Sequence, residues 1–336
     1  MQGIPVQQLR ERVEQILINR GFTLENALPI AESLVLAEMR GVASHGLIRL
    51  PIYLERARLG SVKPQARPVL LADYPALALL DAQDGHGIPA GLKAMELAIE
   101  KAQKVGLAAV GVRRSSHFGL AWYFVRSAVE KGLVGVALSN ADALVAPWGA
   151  RSRFLGTNPL AVGIPAMEEP PIALDMATSE AAHGKILLAK SSGKTIPLNW
   201  ALDAEGRPTD DPDRALAGAL LPFGGPKGSA ISLLIDVLCG PLVGALIGPE
   251  IAPLYTEPER PQGLGHFFMA LNPGVFGDAE QFRKQVDAYI RRVRALPPAE
   301  NVDRVLLPGE REWLLEQKAL QEGVSLSPEA AKAVGL

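Results

Sequence analysis

The chain has 336 residues, of which 48% are hydrophobic and 21% charged, with a net charge of -2 at pH 7. This composition is typical of a globular protein that buries a substantial core in one large domain or two modest ones. Without an excess or a dense stripe of Lys and Arg, we expect no nucleic-acid partner. The most apolar stretch, 229–247, is interrupted by Asp236, Gly240 and Pro241, which favours a buried helix over a membrane span.

Cysteine and histidine spacing bounds the chemistry further. Cys239 is the only cysteine, so an internal disulfide or a thiolate metal cluster is impossible. His86, His183 and His266 have no partner at metal-ligand spacing, and we expect no metal site. The first twenty residues lack the apolar segment of a secretory signal, so a cytoplasmic protein is expected.

The spacing of apolar residues predicts that the chain begins with helices and continues as strands that alternate with helices. Helices are expected over 6–19 and 23–39 and, after an interruption at 40–46, towards Leu59. The later alternation indicates an α/β domain and, taken alone, suggests a parallel sheet. The predicted strands are 76–81, 108–113, 134–139, 160–164 and 172–176; the predicted helices are 90–104, 121–131, 178–189, 281–296 and 308–322, with a polar loop at 197–212.

Two glycine-rich runs resemble nucleotide-binding loops. Residues 84–90 scan as GxGxxA, but Pro89 removes a backbone donor and the expected acid on the following strand is absent. We interpret this run as a structural turn. In residues 224–229 the lysine precedes the last glycine, which excludes Walker chemistry. Lys227 and nearby amides could still approach a phosphate at a helix N-terminus.

Residues 44–49 are the most informative short run. If Ser44 caps the third helix, His45 and Arg49 lie four apart on one face. Arg49 could grip a carboxylate while His45, kept neutral by the helix dipole, exchanges a proton with the adjacent carbon's oxygen. Pro51 should kink this helix. Spacing alone slightly favours a half-exposed histidine and a solvated arginine on an ordinary helix.

Strand-end loops supply further candidates. His117 follows the strand 108–113, where ligands collect in α/β sheets. It could be an acid/base or a cofactor contact, or a turn histidine bonded to its own backbone. The loops 156–159 and 174–179 carry small hydrogen-bonding groups, and His183-Gly184-Lys185 follows one helical turn later.

Taken together, six runs resemble the type 2 malate/L-lactate dehydrogenase family. The resemblance covers nearly the whole chain and extends to sulfolactate and ureidoglycolate dehydrogenases, diketogulonate reductases and cyclic-imine carboxylate reductases. The runs are 37–46 with Arg49, 115–119, 156–159, 175–179, 222–228 and 307–311.

The resemblance implies a fold that periodicity does not predict. It implies an NAD(P)-binding domain over 73–279 with a non-Rossmann, mixed and largely antiparallel sheet. It implies a helical domain built from both termini, 1–72 and 280–336. It also implies a homodimer with its active sites near the subunit interface.

The resemblance also implies residue roles. His45 matches the proton donor/acceptor, with Ser44 beside it; Arg49 and Thr157 match substrate-binding positions. His117 matches a histidine assigned to acid/base work or to the cofactor, which is NAD or NADP. The other cofactor-binding positions are Asp175, Met176, Ala177, Lys227, Pro308, Gly309 and Glu310.

Lys185 separates the subfamilies. Imine reducers in the family tend to have an acid there, paired with the histidine, so Lys185 favours a keto or hydroxy acid substrate. His183 stands where relatives often have arginine, which leaves nearby anion binding open. We therefore predict NAD(P)-dependent interconversion of a small 2-hydroxy acid, of the malate or L-lactate type, and its 2-keto acid.

Three alternatives remain. The first is a cyclic ketimine reductase of the piperideine-2-carboxylate type. The second is a hydrolase using Ser44 or Ser116 beside its histidine, although neither serine lies in a G-x-S-x-G elbow. The third is a nucleotide-binding protein without catalysis.

Overall fold

The computed structural model describes residues 3–336. Its centre is a seven-stranded sheet of order β1-β2-β3-β9-β4-β5-β6, in which β2 and β3 are parallel and every other pair is antiparallel. The mixed, largely antiparallel sheet is confirmed, and the parallel sheet suggested by alternation is wrong. The strands are β1 (Val69–Asp73), β2 (Leu77–Asp81), β3 (Leu107–Ser115), β4 (Val134–Ser139), β5 (Leu160–Ile164), β6 (Ile172–Met176) and β9 (Leu264–Leu271), and β7 (Ala201–Leu202) and β8 (Ala219–Leu220) form a separate pair.

Eleven α-helices occur in the described range. Helices α4 and α5 pack on one face of the sheet, and α8 contacts β3, β4 and β9. The helices are α1 (Val6–Asn19), α2 (Leu24–Met39), α3 (Leu50–Leu59), α4 (Gly87–Val105), α5 (Trp122–Glu130), α6 (His183–Ser191), α7 (Pro212–Ala217), α8 (Pro226–Cys239), α9 (Ala279–Arg294), α10 (Glu310–Glu322) and α11 (Pro328–Ala333). No helix within residues 3–336 has the length and apolarity needed to cross a membrane.

The central strand β9 is absent from the sequence prediction. It inserts between β3 and β4, although it lies more than a hundred residues after β4 in the chain. Its buried His266 interrupts an otherwise apolar run and is satisfied by Ser139 Oγ on Nδ1 (2.8 Å) and Ser115 Oγ on Nε2 (2.7 Å). The histidine therefore crosslinks three adjacent strands.

The two ends of the described chain meet. Ile4 and Val324 exchange two backbone hydrogen bonds of 2.9 and 2.8 Å, and a buried 2.6 Å ion pair joins Arg40, directly after α2, to Glu316 of α10. One hydrophobic cluster nevertheless runs from α1 and α2 through the α4/α5 face of the sheet to α11. The division into a terminal helical domain and an NAD(P) domain remains a prediction, and Met1 and Gln2, which begin it, lie outside the described residues.

Some predicted bounds were wrong for local reasons. Helix α6 begins at His183 rather than residue 178, because the preceding residues pair instead with 221–223. The polar loop 197–212 contains β7, and the apolar helix starts earlier than residue 229 and ends at Cys239, before Gly240. Strand β1 was missed because its leucines are exposed at the sheet edge.

Candidate active site

The Ser44–Arg49 segment is not one helix. Two short 3-10 turns, Ala43–His45 and Leu47–Arg49, flank an extended Gly46, and α3 starts only at Leu50. The shared helical face, the Ser44 cap and the helix-dipole argument for His45 are therefore wrong. So is the kink, because Pro51 lies in the first turn of α3, where its nitrogen needs no helix bond.

Tertiary contacts restore the predicted proximity by another route. Arg49 Nε donates to the carbonyl oxygen of Ser44 at 2.7 Å, which folds the arginine back beside the histidine. Glu38 accepts the Leu47 N–H at 2.7 Å, and a Cβ on Gly46 would lie 2.1 Å from the Glu38 carboxylate. A side chain at position 46 would therefore have to displace the Glu38 carboxylate from its bond to Leu47.

His45 and His117 form a stacked pair. Their ring centroids are 5.8 Å apart and their planes differ by 17°. Nδ1 of His117 contacts the Tyr53 hydroxyl at 2.7 Å and accepts from the Gly119 N–H at 3.3 Å. Because Nδ1 acts as the acceptor, the proton of the neutral ring is on Nε2.

Both histidines are held in the neutral form. Desolvation, aided by the positive charge of Arg49, lowers the pKa of His45 to about 3. Desolvation and then Arg49 also lower the pKa of His117 well below its usual value. Burial raises the pKa of Tyr53, so its hydroxyl keeps its proton and can donate to His117.

Tyr255 holds the guanidinium of Arg49. Arg49 Nη1 donates to the Tyr255 hydroxyl at 2.6 Å, and the guanidinium carbon lies 5.4 Å from the ring centroid. Two of the five guanidinium N–H groups are thus engaged, and the rest are available to an anion. Sequence reasoning missed Tyr255 because it is an isolated aromatic residue in an irregular, proline-containing segment.

Asp142 was also missed. Burial raises the pKa of its carboxyl, and the charges of Arg49 and Arg56 act against that rise. Asn158 positions the neighbouring residue, since its Oδ1 accepts the Ala141 N–H at 3.1 Å. An acidic group therefore lies within electrostatic reach of Arg49.

The Thr157 loop is fixed to two other segments. The carbonyl of Thr157 accepts from the backbone N–H and the hydroxyl of Thr178 at 2.8 and 3.1 Å. The Asn158 amide nitrogen donates to Ser232 O in α8 at 3.0 Å. These bonds join the loops at the ends of β4, β5 and β6, and the predicted substrate contact of Thr157 is left as a prediction.

Segments predicted to bind the cofactor gather around β6. Asp175 and Met176 end this strand, and Phe223 N–H donates to Thr178 O at 3.0 Å, which brings the Lys227 loop alongside. On the other side, Ala173 N–H donates to Pro308 O at 2.9 Å. The runs around residues 175, 223 and 308 are thus far apart in sequence but meet at one edge of the sheet. Ala177 belongs to the first of them, directly after Met176.

The α8 N-terminus fits an anionic cofactor group. Gly224 and Gly225 have φ of +55° and +64°, no side chain caps the helix, and Lys227 is exposed in its first turn. Because Gly228 N–H donates to Phe223 O at 3.1 Å and Pro226 has no N–H, the Lys227 ammonium and the helix dipole are what suit a phosphate here. By contrast, 84–90 is a structural turn, as predicted: its first helical N–H groups donate to Ser116 Oγ and His86 Nδ1, both at 3.2 Å.

Two predicted cofactor-binding acids are used within the chain. The carboxylate of Asp175 accepts the Trp122 N–H at 2.7 Å, at the start of α5. The Glu310 carboxylate accepts the Leu307 N–H at 3.2 Å and pairs with Arg294 at 3.3 Å. Gly309, with φ +81°, is pressed so close to Ala173 that a Cβ would lie 2.4 Å from the alanine side chain.

Lys185 contacts the ring of Trp200. Its ammonium lies 5.8 Å from the Trp200 ring centroid, on the exposed side of α6. Desolvation by burial, together with the charges of Arg153 and Arg49, lowers the pKa of His183. At neutral pH this histidine is therefore uncharged and adds no positive charge near Arg49.

Ser116 does not form a nucleophile with a free base, whereas Ser44 contacts a histidine. Ser116 Oγ donates to Gly85 O and accepts the Gly87 N–H, both at 3.2 Å, as part of the turn. Ser44 Oγ lies 3.0 Å from His45 Nδ1. Across the described part of the chain, no group of three or more His, Cys, Asp or Glu residues could hold a metal ion.

Comparison with known proteins identifies the family. Residues 4–334 match the family described as Malate/L-lactate dehydrogenase. The chain belongs to the malate/L-lactate dehydrogenase family. It is 39% identical to the L-sulfolactate dehydrogenase of Methanothermobacter thermautotrophicus, over 94% of this chain and 90% of that protein.

Other members of the malate/L-lactate dehydrogenase family are similar over comparable lengths. The ureidoglycolate dehydrogenase (NAD(+)) of Escherichia coli K12 is 36% identical, over 95% of this chain and 90% of that protein. The (2R)-3-sulfolactate dehydrogenase (NADP(+)) of Chromohalobacter salexigens is 38% identical, over 89% of this chain and 87% of that protein.

Solved structures of this family share the fold. The malate dehydrogenase of Entamoeba histolytica has a TM-score of 0.93 at 32% identity, covering 99% of this chain and 96% of that one. The delta1-piperideine-2-carboxylate reductase of Pseudomonas syringae has a TM-score of 0.90 at 32% identity, covering 99% of both chains.

Proposed function

We propose that the protein is an NAD(P)-dependent oxidoreductase that interconverts a small 2-hydroxy acid and its 2-oxo acid. The observation that carries this proposal is the placement of a neutral histidine pair beside one half-buried arginine with free donors. The names of the related dehydrogenases support a hydroxy acid as substrate.

Arg49 binds the substrate carboxylate in this proposal. Its guanidinium is held by Ser44 O and Tyr255, so little conformational freedom is lost on binding. The remaining N–H groups suit the two oxygens of a carboxylate. This contact places C2 of the acid, with its oxygen, towards the histidines.

His45 is the proposed acid/base, and hydrogen bonding favours it over His117. Nδ1 of His117 takes two donors, so Nε2 carries the proton and can donate a hydrogen bond but cannot accept a proton. Nδ1 of His45 has only the Ser44 hydroxyl, which can accept a bond from it. This leaves Nε2 of His45 as the free base, and His117 as a neutral donor to the substrate oxygen.

The bound nicotinamide supplies or accepts the hydride at C2 of the acid. In the oxidative direction, neutral His45 removes the hydroxyl proton, a step that contributes about 10²–10⁴-fold. In the reductive direction the same nitrogen returns the proton. A bound anion beside His45 raises its pKa and makes the protonated form accessible.

The cofactor is proposed to lie against the edge of β6. Lys227 and the α8 N-terminus would hold an anionic group, with Met176, Ala177, Pro308 and Gly309 lining the same edge. Asp175 and Glu310 would contribute mainly by fixing these segments. The related proteins include one named for NAD(+) and one named for NADP(+), so both cofactors are proposed.

A ketimine reductase is the second candidate. The fold shared with the delta1-piperideine-2-carboxylate reductase favours it. Lys185 opposes it, because an exposed cation over Trp200 takes the place of the acid that the family's imine reducers tend to have. Comparing piperideine-2-carboxylate with pyruvate and oxaloacetate as oxidants of NAD(P)H separates the two.

The deciding experiment measures nicotinamide absorbance with a panel of 2-hydroxy and 2-oxo acids, run with NAD and NADP separately. We expect turnover on at least one acid and none in an Arg49→Ala variant. Absence of turnover across the panel by the folded protein would contradict the proposed function. A homodimer remains a prediction from the family resemblance, which light scattering measures.

A further inference from the structure

The hydroxyl group of Tyr255 accepts a hydrogen bond from Arg49 and can also donate one. Its hydroxyl accepts from Arg49 Nη1 at 2.6 Å, and within residues 3–336 it has no other recorded partner. Its own proton is therefore available to an acceptor, and 55% of the side chain is exposed. A carboxylate bound to Arg49 on the side of Nη1 would lie near this donor.

The segment carrying Tyr255 is docked on α3 by a buried cation. Arg56 is 1% exposed, and it donates from Nη1 to Leu254 O at 3.0 Å and Glu257 O at 3.3 Å, and from Nη2 to Arg260 O. Burying a guanidinium is costly unless such bonds compensate. Here all of these bonds go to the backbone on either side of Tyr255.

The far end of the same segment is tied to the histidine pair. Gln262 accepts the His117 N–H at 3.0 Å through Oε1 and donates to Ala252 O at 3.3 Å through Nε2. Ser61 Oγ adds a bond of 2.5 Å to Pro258 O. These bonds hold residues 252–262 against α3, which follows Arg49, and against the histidine pair. The position of Tyr255 is therefore fixed by the backbone on either side of it.

We propose that Tyr255 is a second substrate-binding donor, whose hydroxyl hydrogen-bonds the same carboxylate that Arg49 holds, and that Arg56 is a positioning residue that keeps it there. This inference rests on the proposed function. The substrate group that it identifies is a carboxylate, bound by the guanidinium of Arg49 and the hydroxyl of Tyr255. Arg56 touches neither substrate nor cofactor and acts only through the backbone of the segment.

Tyr255→Phe tests the donor, because it removes the hydroxyl and keeps the ring. Bonds to charged groups predict about a 10- to 100-fold rise in KM for the 2-oxo acid, with an unchanged KM for NAD(P)H. Tyr74→Phe, at an exposed tyrosine on the β1–β2 turn, is the matched control and should behave as wild type. An unchanged substrate KM in Tyr255→Phe would overturn the proposal.

Arg56→Lys tests the positioning role, because one ammonium cannot span three carbonyls. We expect a KM rise of the same kind, and less than about a twofold further rise when Arg56→Lys is added to Tyr255→Phe. Fully additive effects would refute action through Tyr255. If Arg56→Lys does not fold, Tyr255→Phe alone decides whether the donor exists.

Oxamate binding distinguishes this proposal from the proposed function. Oxamate is an unreactive 2-oxo acid analogue, and its affinity for the complex with NADH or NADPH is measured by calorimetry. If the wild type binds oxamate more tightly than Tyr255→Phe does, the result supports Tyr255 as a carboxylate donor, even if no acid is turned over. Equal affinities would reject the clamp even in an active enzyme.

Discussion

The hydroxyl oxygen of Tyr53 lies 2.7 Å from Nδ1 of His117, and both belong to a buried cluster that also includes the His86 ring, 4.3 Å from Tyr53. This relationship joins α3, which begins directly after Arg49, to the end of β3. It fixes the proton of neutral His117 on Nε2. Helix α3, which follows Arg49, is therefore joined to the histidine pair by a hydrogen bond.

Tyr53→Phe should lower kcat more than it changes either KM. Without the hydroxyl, only the Gly119 N–H at 3.3 Å remains on Nδ1, and the tautomer with the proton on Nδ1 becomes populated. A hydrogen bond of this kind contributes about 1 kcal/mol, which corresponds to roughly a fivefold loss of kcat. Steady-state kinetics measure the effect, and a kcat equal to wild type would argue against tautomer control.

His45→Gln should reduce kcat by about 10²–10⁴-fold with little change in cofactor affinity. Because the pKa of His45 is lowered to about 3, its neutral form persists as pH falls through 6.5. When kcat/KM of the wild type for oxidation is plotted against pH, it should therefore show no decrease with an apparent pKa near 6.5. Arg49→Met removes the second cause of the shift, and NMR titration should show the His45 pKa rising in that variant.

Arg49→Lys should lower kcat/KM for the acid by about 100-fold, or roughly 3 kcal/mol. A lysine cannot contact Ser44 O, Tyr255 and a carboxylate together, as the planar guanidinium can. Arg67→Lys, at an exposed arginine paired only with Glu25 at 3.6 Å, is the matched control. Equal kcat/KM values in Arg49→Lys and wild type would remove Arg49 from the clamp.

Asp142→Asn should change which acids are preferred. The Asp142 carboxylate lies within electrostatic reach of Arg49, so an acid with a second negative charge near it is disfavoured. We expect the ratio of kcat/KM for oxaloacetate to that for pyruvate to rise by about tenfold. The ratio is measured with both substrates in the same preparation, and a constant ratio would show that Asp142 does not select substrate charge.

Asp287→Asn should destabilise the fold without touching the active site. Burial alone raises the pKa of Asp287, but the N–H groups of Met167, Glu168 and Glu169, at 3.0 to 3.1 Å, outweigh it and lower the pKa below its usual value. Since the folded-state pKa is depressed, this stability is present above the unfolded pKa and is lost as pH falls. We expect a loss of about 1–3 kcal/mol in urea unfolding at pH 7, smaller in acid.

Asp303→Asn, at an exposed acid, is the control for Asp287→Asn and should leave unfolding unchanged. A loss of stability at Asp287 that stays constant down to about pH 3 would contradict the assigned cause.

Much of the architecture was predictable because it depends on local pattern. Apolar spacing predicted α1, α2, α4 and α5 and strands β2 to β6 to within a few residues. Short runs in a fixed order predicted the family and the largely antiparallel sheet. The proximity of His45 and Arg49 was also anticipated, although from a helix that does not exist.

By itself, then, the sequence determined the helices and strands with regular periodicity, the family, and the candidate residues that lie in short ordered runs. Only the tertiary structure decided that β9 occupies the middle of the sheet, that Gly46 breaks the predicted helix over Glu38, and that Tyr255 reaches Arg49 from 206 residues away. The physical reason is that periodicity reports which face of an element is buried, whereas pairing and side-chain contacts depend on which distant segment buries it.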